Sequence, residues 1–272
     1  MRIFLTGRSG LLGRAVLAAC AGDQLVAPTS TDVDITRDGD ASAAIAAARP
    51  DAVIHCAAIT DVDRCQREPD LTYRVNAGGC ERVARAAAAV GARLVAVSTD
   101  YVFGADRGRP LTEDDRPDPI NVYGASKWAG ERAVLDRCPG AVVARVSWLY
   151  DRHRGFAAAM IERARSGATL EVVGSQVGVP TSARVAARAL RRLAELKVRG
   201  PLHVVCSGGT TRLEWVRTLL DSAGVTAAVG DVPAARFGSA PRPVDSRLDN
   251  RRARDLGLVL PSWKQELVDV FA

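Results

Sequence analysis

Near the start of the chain, Arg2-Ile3-Phe4-Leu5-Thr6 carries a strand-length apolar run from Ile3. It then passes directly into Gly7-Arg8-Ser9-Gly10-Leu11-Leu12-Gly13, where an Ala-rich helical pattern starts. A GxxGxxG turn between strand and helix predicts a phosphate cradle. Gly7 gives the tight turn, Gly10 lets the backbone approach a pyrophosphate at the helix N-terminus, and Gly13 lets helix and strand pack closely. A glycine triplet alone is a weak signal, and its flanking strand and helix turn it into an expectation of dinucleotide binding.

Outward from this turn, strand-length apolar runs at 24–27, 52–56, 94–98 and 142–146 alternate with helical patterns at 11–21, 41–48, 75–90 and 126–135. The rhythm implies right-handed crossovers and a parallel sheet covered on both faces. The expected class is therefore α/β, a Rossmann-type doubly wound parallel sheet whose ligands bind where the strands end. After Trp148 the rhythm loosens, with a helix near 156–166, strands at 170–173 and 202–205, and helices starting near Ser182 and Arg212. The Gly- and Pro-rich stretch 227–245 reads as a long loop over the site. Residues 1–149 are expected to form the dinucleotide domain, with the strands near 170–173 and 202–205 added to its sheet. Residues 150–272 then form a smaller, interwoven substrate-binding lobe.

A site that prefers NAD carries an acid at the tip of the second strand, where this chain reads Ala27-Pro28-Thr29-Ser30. Arg8, inside the glycine turn, is instead placed to meet a 2′-phosphate, helped by Thr29 or Ser30. NADPH is the expected coenzyme. The alternative leaves Arg8 solvated and lets Asp32 or Asp34 supply the acid, which keeps NADH open.

The fourth strand ends in Ser98-Thr99-Asp100, and a later helix carries Tyr123 and Lys127, four residues apart and so on one helical face. A phenol with an ordinary pKa near ~10 needs a neighbouring ammonium to serve as a proton donor at neutral pH, the task this spacing gives Lys127. Thr99, at a strand end, can hydrogen-bond the same substrate oxygen. Together they suit proton transfer to a carbonyl while hydride reaches its carbon. The bland alternative is an ordinary exposed helix start.

With 272 residues, 47% apolar and 25% charged, the chain suits one large α/β domain or two intimate smaller ones, which excludes wholesale disorder and a polytopic membrane protein. No apolar run reaches the ~18 residues of a membrane span, and a first strand at Arg2 leaves no room for a secretory leader, so a cytoplasmic protein is expected. Six cysteines without a CxxC pair read as reduced packing thiols. His55, His153 and His203 share no ligand spacing, so no metal is expected. The surplus of six positive charges suits an anionic ligand, while scattered arginines and few aromatics argue against nucleic acid.

The order GxxGxxG, Ser98-Thr99-Asp100, Tyr123-xxx-Lys127 resembles the extended short-chain dehydrogenase/reductase superfamily. Longer strings narrow it: Asp32-Val33-Asp34-Ile35-Thr36, Ala57-Ala58-Ile59-Thr60-Asp61-Val62-Asp63, Arg145-Val146-Ser147-Trp148-Leu149-Tyr150, Gln176-Val177-Gly178-Val179-Pro180-Thr181 and Pro241-Arg242-Pro243-Val244-Asp245-Ser246-Arg247-Leu248. Nearly end to end, these resemble the dTDP-4-dehydrorhamnose reductase family. The resemblance implies NADPH-dependent reduction of a nucleotide-linked 4-keto-6-deoxyhexose, with dTDP as the expected nucleotide, as in dTDP-L-rhamnose or antibiotic deoxysugar synthesis, by a monomer or homodimer.

It also implies site roles. Tyr123 would be the general acid, Lys127 its tuner and ribose anchor, and Thr99 with Asp100 would lie at the sugar's reacting end. Ser9, Gly10, Leu11 and Leu12 would carry the pyrophosphate turn, Asp34 and Ile35 the adenine side. Ala57, Ala58 and Ile59 would form the wall after the third strand, with Ser98 on the coenzyme side. Trp148 would pack on or beside the sugar or nucleotide, a core Trp being the alternative. Arg242 and Arg247, in the late Pro-rich loop, could clamp a diphosphate or simply be solvated.

Two departures from the family pattern matter. Arg14 and Ala15 stand where some relatives carry a carboxylate for magnesium, so no such metal is expected. His153-Arg154-Gly155 replaces an Asn-rich turn, which leaves the sugar open, a dihydrostreptose-synthase-like substrate included. The rivals are a nucleotide-sugar epimerase or dehydratase, and a non-catalytic subunit resembling the methionine adenosyltransferase regulatory subunit.

Overall fold

The computed structural model describes every residue except Phe237, Ser239 and Ala272, with Ala235 described by its backbone alone. The first half runs β1 (Arg2–Thr6), α1 (Leu11–Ala19), β2 (Gln24–Val26), α2 (Asp40–Ala48), β3 (Ala52–His55), α3 (Val62–Arg67), α4 (Pro69–Tyr73), α5 (Gly79–Ala89), β4 (Arg93–Thr99), α6 (Val122–Arg137) and β5 (Val142–Val146). The second half adds β6 (Leu149–Tyr150), α7 (Gly155–Arg165), β7 (Leu170–Val172), β8 (Val177–Gly178), β9 (Thr181–Ser182), α8 (Ala183–Leu193) and β10 (Gly200–His203). It closes with β11 (Thr210–Thr211), α9 (Arg212–Ser222), β12 (Val229–Asp231), α10 (Arg251–Asp255) and α11 (Trp263–Phe271).

Six strands form one sheet in the order β2-β1-β3-β4-β5-β10, every neighbouring pair parallel. Their apolar residues are buried on both faces, as a doubly covered parallel sheet requires. Phe4, Val53, Leu94 and Val143 pack with Ile45 and Val83 from α2 and α5. Their sequence neighbours Ile3, Leu5, Ile54, Val95 and Val142 pack with Val16 and Leu190 from α1 and α8. The chain winds one way from β1 to β2 and the other way from β1 to β3. That reversal opens a crevice beyond the strand ends.

The sheet takes its sixth strand from the second half: β10, at 200–203, pairs with β5 as expected for the strand near 202–205. The strand near 170–173 does not join it. Instead β7 pairs in parallel with β12, within the stretch 227–245 that reads as a loop. β12 is only Val229-Gly230-Asp231, too short to leave a strand pattern in the sequence. The helix expected at 75–90 is also interrupted, since Arg74–Gly78 forms a single π-helical turn before α5.

α6 starts earlier than its apolar pattern suggests, because Asn121 caps it by accepting a 2.7 Å hydrogen bond from the Gly124 amide. Its buried face is tied to β5 by an ion pair. Arg145 donates to Glu131 through Nη2 at 2.7 Å and Nε at 3.0 Å. Both side chains are almost completely enclosed, at 2% and 1% exposure. No helix among the described residues is long and apolar enough to cross a membrane.

Candidate active site

At the β1/β3 reversal lies a cavity of about 310 Å³. Its wall includes Gly7, Arg8, Ser9, Gly10, Pro28, Thr29, Ser30, Asp34, Ile35, Ala57, Ala58 and Ile59. The glycines fit the roles the sequence assigns them. Gly7 has φ +75°, and a Cβ there would meet the Ala57 nitrogen at 2.5 Å, while one on Gly13 would meet the Gly7 oxygen at 2.0 Å. Gly10 faces open space, with nothing but the Gly7 oxygen at 3.4 Å, so a phosphate has room to approach the first amides of α1. The donor set and shape fit a dinucleotide.

Leu11 and Leu12 do not put side chains into this cavity. Leu12 is core, and Leu11 lines a separate cavity with Arg14, His153 and Arg154. Any pyrophosphate role of theirs falls to their backbone amides. His153 and Arg154 line that separate cavity and not the larger one described below.

Arg8 donates to the Ala27 carbonyl at 2.9 Å, which holds its guanidinium at the end of β2. Asp32 is engaged by the amide and hydroxyl of Thr29 at 2.9 and 2.6 Å, and Asp34 by those of Thr36 at 2.9 and 2.7 Å. These bonds hold both carboxyls below their ordinary pKa. Both acids thus serve their own turns.

Tyr123 is half-buried on α6, edge-on to Tyr101 at 5.8 Å between ring centroids. Burial pushes its phenol up, opposed by a hydrogen bond with Thr99. The phenol therefore keeps, at neutral pH, the proton it would have to deliver. Lys127 stands differently from the expectation that it tunes Tyr123. Its ammonium donates to the Val97 carbonyl at 2.8 Å, and its charge acts on His55 and Cys56. Tyr123 is in ring contact with Tyr101, which lines the larger cavity, and the charge of Lys127 reaches Cys56, which lines the smaller. Ser98 is buried behind, its hydroxyl without a hydrogen-bond partner among the described residues.

Asp100 is a clasp rather than a surface carboxylate. It is 2% exposed and accepts from three hydroxyls: Thr99 at 3.0 Å, Ser147 at 3.0 Å and Ser246 at 2.6 Å. Three distant segments therefore meet beside Thr99. Burial pushes its pKa up to about 6 against the pull of these hydroxyls, led by Ser246. The folded protein holds this proton more tightly than the unfolded chain. Its contribution to stability is therefore full below about pH 4 and lost as pH rises through about 6. Relative to Asp100→Asn, the wild type should lose on the order of 3 kcal/mol of stability between pH 4 and pH 7. Parallel denaturation profiles for the two proteins across that range would rule this out.

Sequence reading missed Asn76, which sits in the π-helical turn. It accepts from the Ile59 amide at 2.8 Å and donates to the Ile59 carbonyl at 3.0 Å and to Ser126 at 3.0 Å. The wall of the smaller cavity after β3 is thereby fixed to the helix bearing Tyr123. A π turn is a common mark of such sites, but hydropathy cannot reveal it.

On the other side of Tyr101 opens a cavity of about 580 Å³. Residues 234, 238 and 240–242 lie over it, so the late segment does cover the site. Arg242 reaches this wall, paired with Asp63 at 2.5 Å. Arg247 does not line it, because its guanidinium is clamped on Asp245 at 2.5–3.0 Å. Trp148 is half-buried behind the wall with the guanidinium of Arg212 over its ring at 3.7 Å, so that face is not free for a sugar. Sequence analysis passed over Arg212 as a plain helix start. Among the described residues no three His, Cys, Asp or Glu side chains are grouped to hold a metal ion.

A glycine cradle at a Rossmann switch point, with Thr99 and Tyr123 both touching Tyr101 of a second, larger cavity and Lys127 on the same helix as Tyr123, is the arrangement of a nucleotide-dependent short-chain oxidoreductase. Comparison with known proteins specifies it further. Residues 1–272 match the family model described as RmlD substrate binding domain. The dTDP-4-dehydrorhamnose reductase of Mycolicibacterium smegmatis is 39% identical over 280 residues, covering 100% of this chain and 85% of that protein. The enzyme of the same name from Mycobacterium tuberculosis is 39% identical over 283 residues, covering 100% of this chain and 92% of that protein. The crystal structure of dTDP-4-dehydrorhamnose reductase from Bacillus anthracis in complex with NADP superposes with a TM-score of 0.95 at 33% identity, covering 99% of this chain and 98% of that one. The chain belongs to the dTDP-4-dehydrorhamnose reductase family.

Proposed function

We propose that the chain is an NADPH-dependent reductase of a dTDP-linked 4-keto-6-deoxy sugar. The observation that carries this reading is Tyr123 edge-on to Tyr101 of the larger cavity, on the same helix as Lys127, whose charge reaches Cys56 of the smaller. The coenzyme, when bound, supplies the hydride. Tyr123 delivers its proton to the oxygen of the substrate ketone, and Thr99 orients that oxygen once its hydroxyl proton turns to it from Asp100. Asp100 holds Thr99, and Asn76 fixes the coenzyme wall against α6. Lys127 anchors the ribose and brings positive charge to the crevice. Gly7 to Gly10 and the first amides of α1 receive the pyrophosphate, and Arg8 receives a 2′-phosphate. In this reading the enzyme works in the cytoplasm as a monomer or homodimer.

An assay of coenzyme oxidation across a panel of dTDP-linked 4-keto sugars, with product stereochemistry read by NMR, tests the whole reading. Turnover with NADPH should exceed that with NADH in kcat/KM. Arg8→Gln should lower the NADPH value roughly 10-fold, the worth of one charge-assisted phosphate contact, and leave NADH unchanged. No oxidation of either coenzyme with any sugar, or an NADH advantage in the wild type, would defeat it.

A further inference from the structure

Arg212 is the guanidinium that stands apart in the larger cavity. Arg242 is engaged by Asp63, Arg236 by Glu171 at 2.9 Å, and Arg163 is exposed on α7. Arg212 instead has three aromatic rings around it, Trp148 at 3.7 Å, Phe156 at 5.3 Å and Trp215 at 5.8 Å. Among the described residues its guanidinium makes no ion pair. Asp100 is near enough to raise its pKa, but that carboxylate is taken by three hydroxyls, and burial still leaves Arg212 below its ordinary value. A half-buried cation on an apolar frame, facing a cavity, is stabilised by an incoming anion.

The frame is built for this cation. Trp148 has φ +40°, a left-handed conformation costly for a bulky residue, and a Cβ on Gly178 would meet its Cε2 at 2.3 Å. Gly178, Trp148 and Arg212 therefore form a layered stack. A guanidinium lying on an indole keeps its N–H edge turned away from the ring, free for the fork-like grip that suits phosphate oxygens. Along the cavity wall, Met160, Val172 and Val173 offer an apolar end, and Tyr101 leads to Tyr123.

We infer that Arg212, positioned by Trp148, binds the diphosphate of the nucleotide-sugar, with the base toward Met160 and Val172 and the sugar toward Tyr101. The inference rests on the reductase reading for the identity of its ligand. Trp148 is then a positioning residue for the cation instead of a stacking surface for the sugar.

Calorimetric titration of the full chain with dTDP and with thymidine tests this. Arg212→Gln should weaken dTDP roughly 10- to 100-fold, the range of a charged hydrogen bond, and leave thymidine within about twofold of the wild type. Trp148→Leu should weaken dTDP as well, and the double variant should be no worse than Arg212→Gln alone. If Arg212→Gln binds dTDP like the wild type, if it weakens dTDP and thymidine alike, or if the wild type does not bind dTDP, the inference falls. A wild type that binds dTDP through Arg212 but reduces no 4-keto sugar would overturn the reductase reading and leave the diphosphate site standing.

Discussion

Tyr123→Phe should lower kcat by about 10²- to 10⁴-fold, the usual worth of a positioned proton donor, with the coenzyme dissociation constant little changed. The substitution removes one hydroxyl and keeps the ring that lies edge-on to Tyr101 at 5.8 Å. The coenzyme cradle is built from other segments, Gly7 to Gly10 and Ala57 to Ile59, so its affinity should survive. Burial and the Thr99 hydrogen bond act on the phenol more strongly than Lys127 does. Thr99→Val should therefore reduce kcat too, by a smaller factor than loss of the phenol. Single-turnover measurement of hydride transfer, with coenzyme binding followed separately, distinguishes the two effects. Wild-type turnover in Tyr123→Phe would remove Tyr123 from the chemistry.

The second large effect concerns the helix that carries this tyrosine. Glu131 lies four residues beyond Lys127 and eight beyond Tyr123, so all three share one face of α6. Its carboxylate meets Arg145 of β5 with neither side chain more than 2% exposed. Arg145 also lies over the Phe103 ring at 5.0 Å and approaches His203 of β10 at 3.5 Å. Burial, with Arg145 nearby, pushes the His203 pKa down to about 3, so the imidazole is neutral and no second cation crowds the pair.

Replacing Glu131 with Ala leaves the Arg145 charge enclosed and uncompensated, at a cost of about 3–5 kcal/mol. Against a total stability of ~5–15 kcal/mol, that should lower Tm on the order of 10 °C. Converting both partners to apolar residues, Glu131→Leu with Arg145→Met, should recover most of the loss, because the desolvation of two charges disappears with their attraction. A Tm for Glu131→Ala within about 2 °C of the wild type would show that water reaches the pair.

Much of the candidate coenzyme site was legible in the sequence. Gly7, Gly10 and Gly13 announce themselves because only glycine tolerates the backbone approach that the turn demands, and the missing carboxylate after β2 is equally local. Tyr123 and Lys127 share a helical face by spacing alone. The signals that failed were of another kind. β12 has three residues, and its pairing with β7 depends on a segment 59 positions from Leu170, Val229 being its partner. Asn76 looked like any polar residue of a helix, since a π turn leaves the composition untouched.

The substrate side shows the same division. Arg242, Arg247 and Arg212 are chemically identical in the sequence, and the late Pro-rich loop drew attention to the first two. Folding gave Arg242 to Asp63 and Arg247 to Asp245, and set Arg212 on an indole facing a cavity. By itself the sequence determined the sheet, the glycine turn at its switch point and the shared helical face of Tyr123 and Lys127, because periodicity, glycine stereochemistry and helical spacing act over a few neighbouring residues. Only the tertiary structure decided which cation stays available, what Lys127 touches and how Asp100 gathers three segments. Those outcomes depend on which distant charges and hydroxyls the fold brings within 3 Å and removes from water.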